Sequence, residues 1–370
     1  MIKNIPFVDL KAQYLSIKKD IDNAIKSVIQ NTAFIKGKYV NDFESEFSKI
    51  YGIKNTVSCG NGTDAIYILL KSLGISKGDE VITVSNTWIS TSETVSQVGG
   101  KPVFVDCEQD SFTIDPRKIE AKINSRTKAL IVVHLYGNPC QMDALTEICK
   151  KNKIYLIEDC AQAHFAKWNG KKVGTFGIAG TFSFFPGKNL GAYGDAGAII
   201  TNDDELALKM RKFSNHGQLV KHNHEIEGIN SRLDGMQAAI LSAKLPYIKK
   251  WSRQRLDAAL LYNDLLSDIG SIKTPIIREN TFHVFHLYVI IAENRDDLSN
   301  FLNDMGISTG IHYPTPLPFL EAYKYLNHEP NDFPVSYDYR KKILSLPIYP
   351  EISSDQIEYI SDSILKFYEL

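Results

Sequence analysis

Strand-like and helix-like segments alternate through the first two thirds of the chain, and this alternation limits the folds open to it. Residues 129–135 (ALIVVHL) form a nearly continuous apolar run, typical of a parallel strand covered on both faces. Residues 142–152 have helical apolar spacing, and residues 154–157 form the next strand-like run. A strand, a helix and a strand within about 30 residues make a βαβ unit. Because the alternation recurs between about residues 15 and 245, it predicts an open, mostly parallel α/β sheet.

The C-terminal third shows a different pattern and predicts a second domain. Residues 235–262 have the spacing of one long helix or two in succession, with a break near Pro246. Residues 283–291 have the composition of an isolated strand. We therefore predict a large α/β/α sheet domain, residues 1–246, and a smaller C-terminal α+β domain, residues 247–370.

The charge balance argues against nucleic acid and membrane surfaces as partners. The chain has 42 Lys and Arg against 43 Asp and Glu, a net charge of −1, so the main sequence argument for binding a polyanion is absent. No apolar stretch approaches the ~20 residues of a membrane helix, and residues 1–8 lack the basic and apolar regions of a signal peptide. The five cysteines show no C-x-x-C spacing and are expected to be buried, reduced thiols. We therefore predict a cytoplasmic protein.

No metal site is predicted. His222 and His224 have a spacing compatible with ligation, but no carboxylate or cysteine beside them completes a ligand set.

A glycine-rich turn at residues 59–64 (CGNGTD) opens directly into a predicted helix. Gly60 and Gly62 would let the backbone approach a ligand, and the N–H groups at a helix start attract an anion. Thr63 adds a hydroxyl donor. The segment is not the lysine-containing P-loop, and it lacks the full G-x-G-x-x-G spacing. Two interpretations stay open here: a phosphate site, or a plain turn with a helix cap.

Two charged residues follow predicted strands, in positions unusual for surface side chains. Asp159 comes at the end of the strand-like run, where a carboxylate needs a positive or donor partner. A protonated ring nitrogen of a cofactor is one such partner, and capping of a following helix is the alternative. Lys188 follows an aromatic strand and a Pro-Gly turn, where burial would lower its pKa and suit a Schiff-base lysine. An exposed loop lysine is the alternative, and Ser183 in the same segment is a candidate phosphate donor.

A fourth segment, residues 228–234 (GINSRLD), leads into the long predicted helix. From the residues alone, Asn230 or Ser231 is expected to cap that helix.

Together these segments resemble the fold-type-I, PLP-dependent aminotransferases, and specifically the DegT/DnrJ/EryC1/StrS family of nucleotide-sugar aminotransferases. The spacing of the set is far more specific than any single segment, and the similarity extends over nearly the whole chain. The similar segments are residues 6–14 (PFVDLKAQY), 62–63, 86–88 (NTW), 133–137 (VHLYG), 158–164, 184–197, 215–217 (NHG), 230–234 and 310–314 (GIHYP).

The resemblance implies a role for each residue of a cofactor site. Lys188 would form the Schiff base with pyridoxal 5′-phosphate and move a proton between the amino carbon and C4′ of the cofactor. Relatives with His at this position are dehydratases, so Lys188 favours transamination. Asp159 would keep the ring nitrogen protonated. The other implied contacts are Gln162 beside the 3′-oxygen, Trp88 on the pyridine ring, Gly62, Thr63 and Ser183 at the phosphate, and Asn230 at the phosphate across a dimer interface.

The resemblance also implies partners and a reaction. A homodimer with an active site shared between two chains is expected, with L-glutamate as the amino donor. Residues 7–14 and 86–91 look most like members that aminate C3 of a dTDP-3-keto-6-deoxyhexose, for deoxyaminosugar and glycan (O-antigen) synthesis. A 4-keto nucleotide-sugar aminotransferase is the alternative within this class. A non-catalytic, PLP-binding regulatory protein is the alternative from another class.

Four residues are candidates to contact the sugar or its diphosphate: Tyr193, Lys221, His312 and Tyr313. The alternative for Tyr193 is packing against the loop of Lys188, and the alternative for Lys221 is solvation in a polar stretch. Many relatives read Tyr-Pro-x-Pro-Leu-His after the Ile-His pair. This chain has Pro318 at the last of these positions, which leaves no histidine there for a substrate contact.

Overall fold

The computed structural model describes residues 4–369, which form thirteen strands and twelve α-helices. The strands are β1 (Asn55–Cys59), β2 (Glu80–Val84), β3 (Lys101–Val105), β4 (Thr127–Val133), β5 (Tyr155–Asp159), β6 (Lys167–Trp168), β7 (Lys171–Lys172), β8 (Ala179–Ser183), β9 (Gly197–Thr201), β10 (Ile272–Lys273), β11 (Thr281–Phe282), β12 (Tyr288–Ala292) and β13 (Ile343–Leu346). The helices are α1 (Leu10–Ser16), α2 (Lys18–Gln30), α3 (Lys38–Tyr51), α4 (Gly62–Ser72), α5 (Ser90–Gln97), α6 (Met142–Asn152), α7 (Asp204–Phe213), α8 (Gly235–Lys244), α9 (Ile248–Leu265), α10 (Arg295–Asp304), α11 (Pro334–Tyr339) and α12 (Ser354–Glu369).

The centre of the molecule is a seven-stranded sheet in the order β1-β9-β8-β5-β4-β2-β3. The neighbours from β8 through β5, β4 and β2 to β3 pair in parallel, whereas β9 pairs antiparallel with both β8 and β1. Every residue of β2 and β9 is buried, as expected of strands covered on both faces. The predicted α/β class with a mostly parallel sheet is confirmed.

The register of β4, β5 and β8 places polar groups at one edge of this sheet. Val133 of β4 lies opposite Asp159 of β5, and Asp159 lies opposite Thr181 of β8. The strand predicted at residues 154–157 therefore extends to Asp159, and the carboxylate belongs to the last residue of the strand. Parallel strands share their carboxyl edge, so side chains that follow β1, β2, β5 and β8 converge there.

The second sheet is antiparallel, with three strands in the order β10-β12-β13. The strand predicted at residues 283–291 is wrong in its first half, because β12 begins only at Tyr288. The preceding residues bind elsewhere: the N–H of Val284 donates to the carbonyl of Gly137, and Arg255 donates to the carbonyl of Phe285. β12 is also not isolated, since it is the central strand of its sheet.

The break predicted near Pro246 is confirmed. A 3₁₀ turn, Leu245–Tyr247, separates α8 from α9. The start of α9 packs in one core with Phe182 and Phe184, and Tyr262 near its end packs in the core of the second sheet. α9 thus connects the two cores, and the domain boundary between residues 246 and 247 stays a prediction. Residues 1–3 and 370 of the two predicted domains lie outside the described residues.

The start of α8 corrects one local prediction. The helix begins at Gly235 after Asp234, so neither Asn230 nor Ser231 caps it. Gly235 lies so close to the preceding chain that a Cβ there would be 2.0 Å from the carbonyl oxygen of Ala33. The start of α8 therefore requires a glycine, because any side chain at residue 235 would collide with the backbone of Ala33.

Two expectations drawn from composition can be compared with the described residues. The five cysteines are buried and unpaired, as predicted. Across residues 4–369, no helix combines the length and the apolar character needed to cross a bilayer.

Candidate active site

A cavity of about 580 Å³ opens at the carboxyl edge of the seven-stranded sheet. It brings together residues that are far apart in the sequence, from the turn after β1 to the segment before α11. The predicted site residues that line it are Gly62, Thr63, Trp88, Asp159, Gln162, Ser183, Lys188 and Tyr313. Four other predicted residues, Tyr193, Lys221, Asn230 and His312, do not line it.

One wall of the cavity is the start of α4. The side chain of Asn61 caps this helix and accepts a hydrogen bond from the N–H of Asp64 at 2.8 Å. The hydroxyl of Thr63 lies 2.7 Å from the hydroxyl of Ser90 on α5. The helix cap that the sequence suggested is therefore present, and hydroxyls and helix-start N–H groups also meet at the cavity wall. Such a wall suits a phosphate, so the two interpretations of this turn are compatible.

The backbone at Gly62 leaves no room for a side chain. A Cβ at Gly62 would lie 2.6 Å from the Cβ of Ser183, so the start of α4 lies directly against the end of β8. This contact brings Ser183 to the same end of the cavity as Thr63. This arrangement suits a phosphate group, because the close backbone approach and the hydroxyl donors occur at the same place.

Replacing Gly62 with alanine is expected to lower the free energy of unfolding by about 1–3 kcal/mol, since the added methyl group overpacks the contact with Ser183. We also expect weaker binding of pyridoxal 5′-phosphate, because Ser183 and the N–H groups of α4 must separate. Chemical denaturation and a cofactor titration measure the two effects. Gly270→Ala is the control, because a Cβ at Gly270 meets no atom within 4 Å. Equal stability and affinity in Gly62→Ala and Gly270→Ala would contradict the prediction.

A second link fixes the same turn. The hydroxyl of Ser231 accepts a hydrogen bond from the N–H of Gly60 at 2.9 Å and donates one to the carboxylate of Asp64 at 2.6 Å. The segment before α8 thus holds the glycine-rich turn in place, which is the structural role of Ser231 in this chain.

Asp159 is buried, with 5% of its surface exposed, and it faces the cavity. Its carboxylate accepts hydrogen bonds from the hydroxyl of Thr91 and the N–H of Ala161, each at 3.0 Å. Burial raises the pKa of Asp159, while these two donors and the charge of Lys188 oppose the rise. The alternative role as a helix cap does not occur, because β5 leads into a turn and no helix follows directly. A buried carboxylate that faces an open cavity suits a cationic ligand group there.

Lys188 lies in the loop between β8 and β9 and lines the cavity. Burial lowers the pKa of its amine from 10.5 to about 8, and the charge of Asp159 opposes this shift. The loop fold is local, since the N–H of Lys188 donates to the carbonyl of Phe185 at 2.8 Å. The side chain is half-buried, not the exposed loop lysine of the alternative interpretation. An amine with such a pKa is partly neutral at mildly alkaline pH and can attack a carbonyl carbon.

Competitive acetylation of the cofactor-free protein is expected to titrate Lys188 with a midpoint near pH 8. The pKa is lowered because burial disfavours the charged amine. The neutral amine, which is the form that reacts, is therefore present at lower pH than in a solvated lysine. Peptide mass spectrometry after labelling with trace acetic anhydride measures the midpoint, with the exposed Lys250 as internal reference. A midpoint near 10.5 for Lys188 would contradict the assignment of a buried amine.

Another part of the cavity lining consists of amide and aromatic side chains. The side-chain oxygen of Gln162 accepts from the N–H of Tyr136 at 2.6 Å, and its amide nitrogen donates to the hydroxyl of Tyr313 at 3.1 Å. Both groups of Gln162 are therefore fixed in orientation. The ring of Trp88, 57% exposed, lies 5.6 Å from the ring of Tyr313. An open indole face at a cavity suits stacking on a planar ligand ring.

The remaining predicted residues do not line the cavity. His312 precedes Tyr313, and its Nδ1 lies 2.8 Å from the hydroxyl of Ser345. Tyr193 packs against Lys244, whose ammonium lies 4.2 Å from the centre of the ring. Lys221 and Asn230 are exposed, and Asn230 forms a short bridge with Asn215. Their predicted roles with substrate or with a partner's cofactor stay predictions.

Sequence reasoning missed Thr91, Ser90 and Phe185, which line the cavity. Thr91 holds the carboxylate of Asp159, and Ser90 holds the hydroxyl of Thr63. Their position in the sequence could have indicated them, because both residues follow β2 and so lie at the carboxyl edge of the sheet.

Behind Asp159, on the other face of β5, His134, Glu158 and Cys160 form a buried cluster with potential metal-ligating atoms. Glu158 accepts hydrogen bonds from the N–H groups of Gly174, Phe176 and Gly177, and it lies 3.2 Å from Nε2 of His134. Nδ1 of His134 accepts from the N–H of Cys140, which fixes a neutral ring that donates from Nε2. The ligand atoms of Glu158 and His134 are thus occupied by protein donors and acceptors, and the cluster supports the strand that carries Asp159.

The sequence matches a known family over most of its length. The family model described as "DegT/DnrJ/EryC1/StrS aminotransferase family" matches residues 15–365. A "Pleiotropic regulatory protein" of Geobacillus stearothermophilus is 44% identical over 367 residues, which are 99% of each chain. A "dTDP-3-amino-3,6-dideoxy-alpha-D-galactopyranose transaminase" of Aneurinibacillus thermoaerophilus is 41% identical over 363 residues, which are 98% of this chain and 99% of that one.

Solved structures share the fold. S. venezuelae DesV, described "in complex with ketimine intermediate", superposes with a TM-score of 0.97 at 38% identity and 99% coverage of both chains. A Bacillus subtilis protein described as "ntda … with bound cofactor pmp" superposes with a TM-score of 0.92 at 31% identity, over 100% of this chain and 86% of that one.

Proposed function

The chain belongs to the DegT/DnrJ/EryC1/StrS aminotransferase family, and from this membership we propose that it transfers an amino group from L-glutamate to a keto group of a nucleotide-linked sugar. The predicted family, the fold-type-I aminotransferase fold and the pyridoxal 5′-phosphate cofactor are confirmed by the family match and the related structures. The protein is an aminotransferase, and the identity of donor and acceptor is the part proposed here.

The observation that carries the proposal is the pairing of the buried carboxylate of Asp159 and the half-buried amine of Lys188 in one cavity. Bound pyridoxal 5′-phosphate supplies an aldehyde that condenses with amines and a pyridinium ring that withdraws electrons. The chain's part is to hold and move protons: Asp159 would set its carboxylate against the ring nitrogen, and Lys188 would offer an amine with a pKa of about 8 for proton transfer. We assign Gly62, Thr63 and Ser183 to the phosphate, Gln162 to the 3′-oxygen and Trp88 to the ring face.

For the acceptor we propose a dTDP-3-keto-6-deoxyhexose, used in the cytoplasm for deoxyaminosugar and glycan synthesis. The support is the 41% identity to a relative whose name specifies a dTDP-linked 3-amino-3,6-dideoxy sugar. We propose Tyr193, Lys221, His312 and Tyr313 as contacts of the sugar or its diphosphate, supported for Tyr313 by its position in the cavity wall. Pro318 is buried in the turn Leu317–Phe319, so its position serves packing and offers no group to a substrate.

The function is tested with the purified protein. It should be yellow, and L-glutamate should shift its absorbance to that of the pyridoxamine form. The product formed from candidate dTDP- and UDP-linked keto sugars is then identified by NMR. An amine at C3 supports the proposal, whereas an amine at C4 would make the protein a 4-keto-sugar aminotransferase.

A second candidate function is a PLP-binding regulatory protein without catalysis, because the relative that is 44% identical carries the name of a regulatory protein. The pair of Asp159 and Lys188 in one cavity favours catalysis. A yellow protein whose spectrum does not respond to glutamate would favour regulation.

We further propose that the active site is shared in a homodimer, with Asn230 contacting the phosphate bound by its partner. Within a single chain Asn230 is exposed and outside the cavity, where it is available to a neighbouring subunit.

Mixing two defective chains tests this arrangement. Asn230→Ala is expected to weaken cofactor affinity about 10-fold or more, since a hydrogen bond to a charged group contributes about 1.5–3 kcal/mol. In a mixed dimer of Asn230→Ala and Lys188→Ala chains, one site combines an intact Lys188 with an intact Asn230 from the other chain. That site should regain wild-type cofactor affinity and turnover, measured on dimers purified with two different tags. Mixed dimers no better than Asn230→Ala alone would place Asn230 in its own subunit's site or outside any site.

A further inference from the structure

Lys244, the last residue of α8, is fully buried, although a lysine is rarely buried without a partner. Its ammonium donates to the carbonyl of Gly191 at 2.7 Å and lies 4.2 Å from the centre of the Tyr193 ring. Burial lowers the pKa of Lys244 to about 7, and the charge of Glu351 opposes this shift. The partners of this buried cation are therefore a carbonyl dipole and an aromatic face.

Both partners belong to the loop that carries Lys188. The loop closes where the N–H of Ala192 donates to the carbonyl of Phe184 at 2.7 Å. At Gly191 the backbone is so compact that a Cβ would lie 2.3 Å from the carbonyl oxygen of Pro186. Lys244 thus binds the loop at its closing point.

The same helix holds the loop at a second point. The side-chain oxygen of Gln237, on α8, accepts a hydrogen bond from the N–H of Tyr193 at 2.9 Å. The loop is also bound through Asn189, whose side chain donates to the carbonyl of Val284 at 2.9 Å. The part of the loop that follows Lys188, residues 189–193, is therefore held by contacts with α8 and with Val284.

We propose that Lys244 is a positioning residue for Lys188: its buried ammonium, together with Gln237, fixes the end of the loop and so holds the Lys188 amine in the cavity beside Asp159. The inference rests on the proposed function for its catalytic meaning, but the placement of the amine is a property of the protein without cofactor.

Lys244 acts on Lys188 through the backbone of the loop and not through a direct interaction between the two amines. The titratable groups that face Lys188 are Asp159, His164, His286 and His312, and burial lowers the pKa of each histidine. An apolar side chain of similar volume in place of Lys244 would make the folded protein equally or more stable, so stability alone does not explain a lysine there. Losing the bond to Gly191 should therefore loosen the loop, let water reach Lys188 and raise the pKa of its amine toward 10.5.

The test compares Lys244→Met with the parent protein, both without cofactor. Competitive acetylation is expected to show the Lys188 midpoint raised by about one pH unit, because a hydrated amine is less shifted by burial. Hydrogen exchange at the amide of Ala192 should become about 10-fold faster or more, since local opening near the loop costs less free energy. Both readouts are independent of cofactor binding and turnover, so they stand even if the proposed reaction is wrong.

Two further variants separate positioning from general destabilisation. Leu302→Ala removes a buried side chain in the core of the second sheet, and it should lower the unfolding midpoint without moving either readout. Tyr193→Leu removes the ring that lies beside the ammonium of Lys244. Because Tyr193 is exposed, this variant should fold even if Lys244→Met does not. It should change the acetylation midpoint and the exchange rate in the same direction as Lys244→Met. Unchanged acetylation and exchange in a folded Lys244→Met, or in Tyr193→Leu if the first variant fails to fold, would overturn the proposal.

Discussion

Lys188→Ala is expected to lose turnover by a factor on the order of 10⁴ or more while keeping its fold, because nucleophilic and acid–base functions are removed together. The substitution removes the amine that Lys188 places in the cavity. The loop is held by other groups: the N–H of residue 188 still donates to Phe185, and the side chain of Asn189 still donates to Val284. The cofactor should also still bind, since the contacts proposed for its phosphate are Gly62, Thr63 and Ser183.

The measurement is amino transfer from L-glutamate to the keto sugar, with Lys250→Ala as the matched control at an exposed lysine. Unfolding midpoints within a few degrees of the parent would show that the fold is kept. Added methylamine should restore part of the activity, because the space vacated by the side chain can admit a small amine. Borohydride should label Lys188 in the parent and no lysine in the variant. Labelling at another lysine, or turnover within tenfold of the parent, would remove Lys188 from the chemistry.

The sequence predicts most of the sheet because buried parallel strands have a strong signature. Residues 129–135 and 154–157 correspond to β4 and β5 within two residues. The same signature makes Asp159 and Lys188 candidate site residues because each follows a predicted strand, but a helix cap and an exposed loop lysine remained alternatives until the segments were considered together.

Contacts between segments that are distant in the sequence could not be predicted in the same way. Thr91 follows β2 and Asp159 ends β5, so the contact between them depends on the strand order β5-β4-β2. No local feature of the sequence indicates that order. The bond from Lys244 to Gly191 depends on how α8 packs against the loop. Residues 283–287 were misassigned because their apolar side chains suit a strand, whereas their backbone groups bind Gly137 and Arg255 instead.

The second large effect on turnover is expected when the buried carboxylate of Asp159 is replaced. Asp159→Asn is expected to lower turnover by about 10²–10³, comparable to the loss of one preorganised electrostatic group. The substitution keeps the size of the side chain, and its remaining oxygen can still accept from the N–H of Ala161. The hydroxyl of Thr91 can reverse its role and accept from the new amide. What is lost is the negative charge, so a ring nitrogen placed there is no longer held protonated and the ring withdraws electrons less well.

Thr91→Val is the control that separates charge from hydrogen bonding at this position. It removes one donor from the carboxylate but leaves the charge, so the expected loss of turnover is about 10-fold, as for one hydrogen bond to a charged group. The values of kcat and KM for glutamate and the dissociation constant of the cofactor distinguish the two variants. Because the charge acts on the reaction more than on binding, Asp159→Asn should change kcat far more than KM. If Asp159→Asn lost no more turnover than Thr91→Val, the carboxylate would serve only to anchor the turn after β5, and the charge pairing proposed for the ring nitrogen would be wrong.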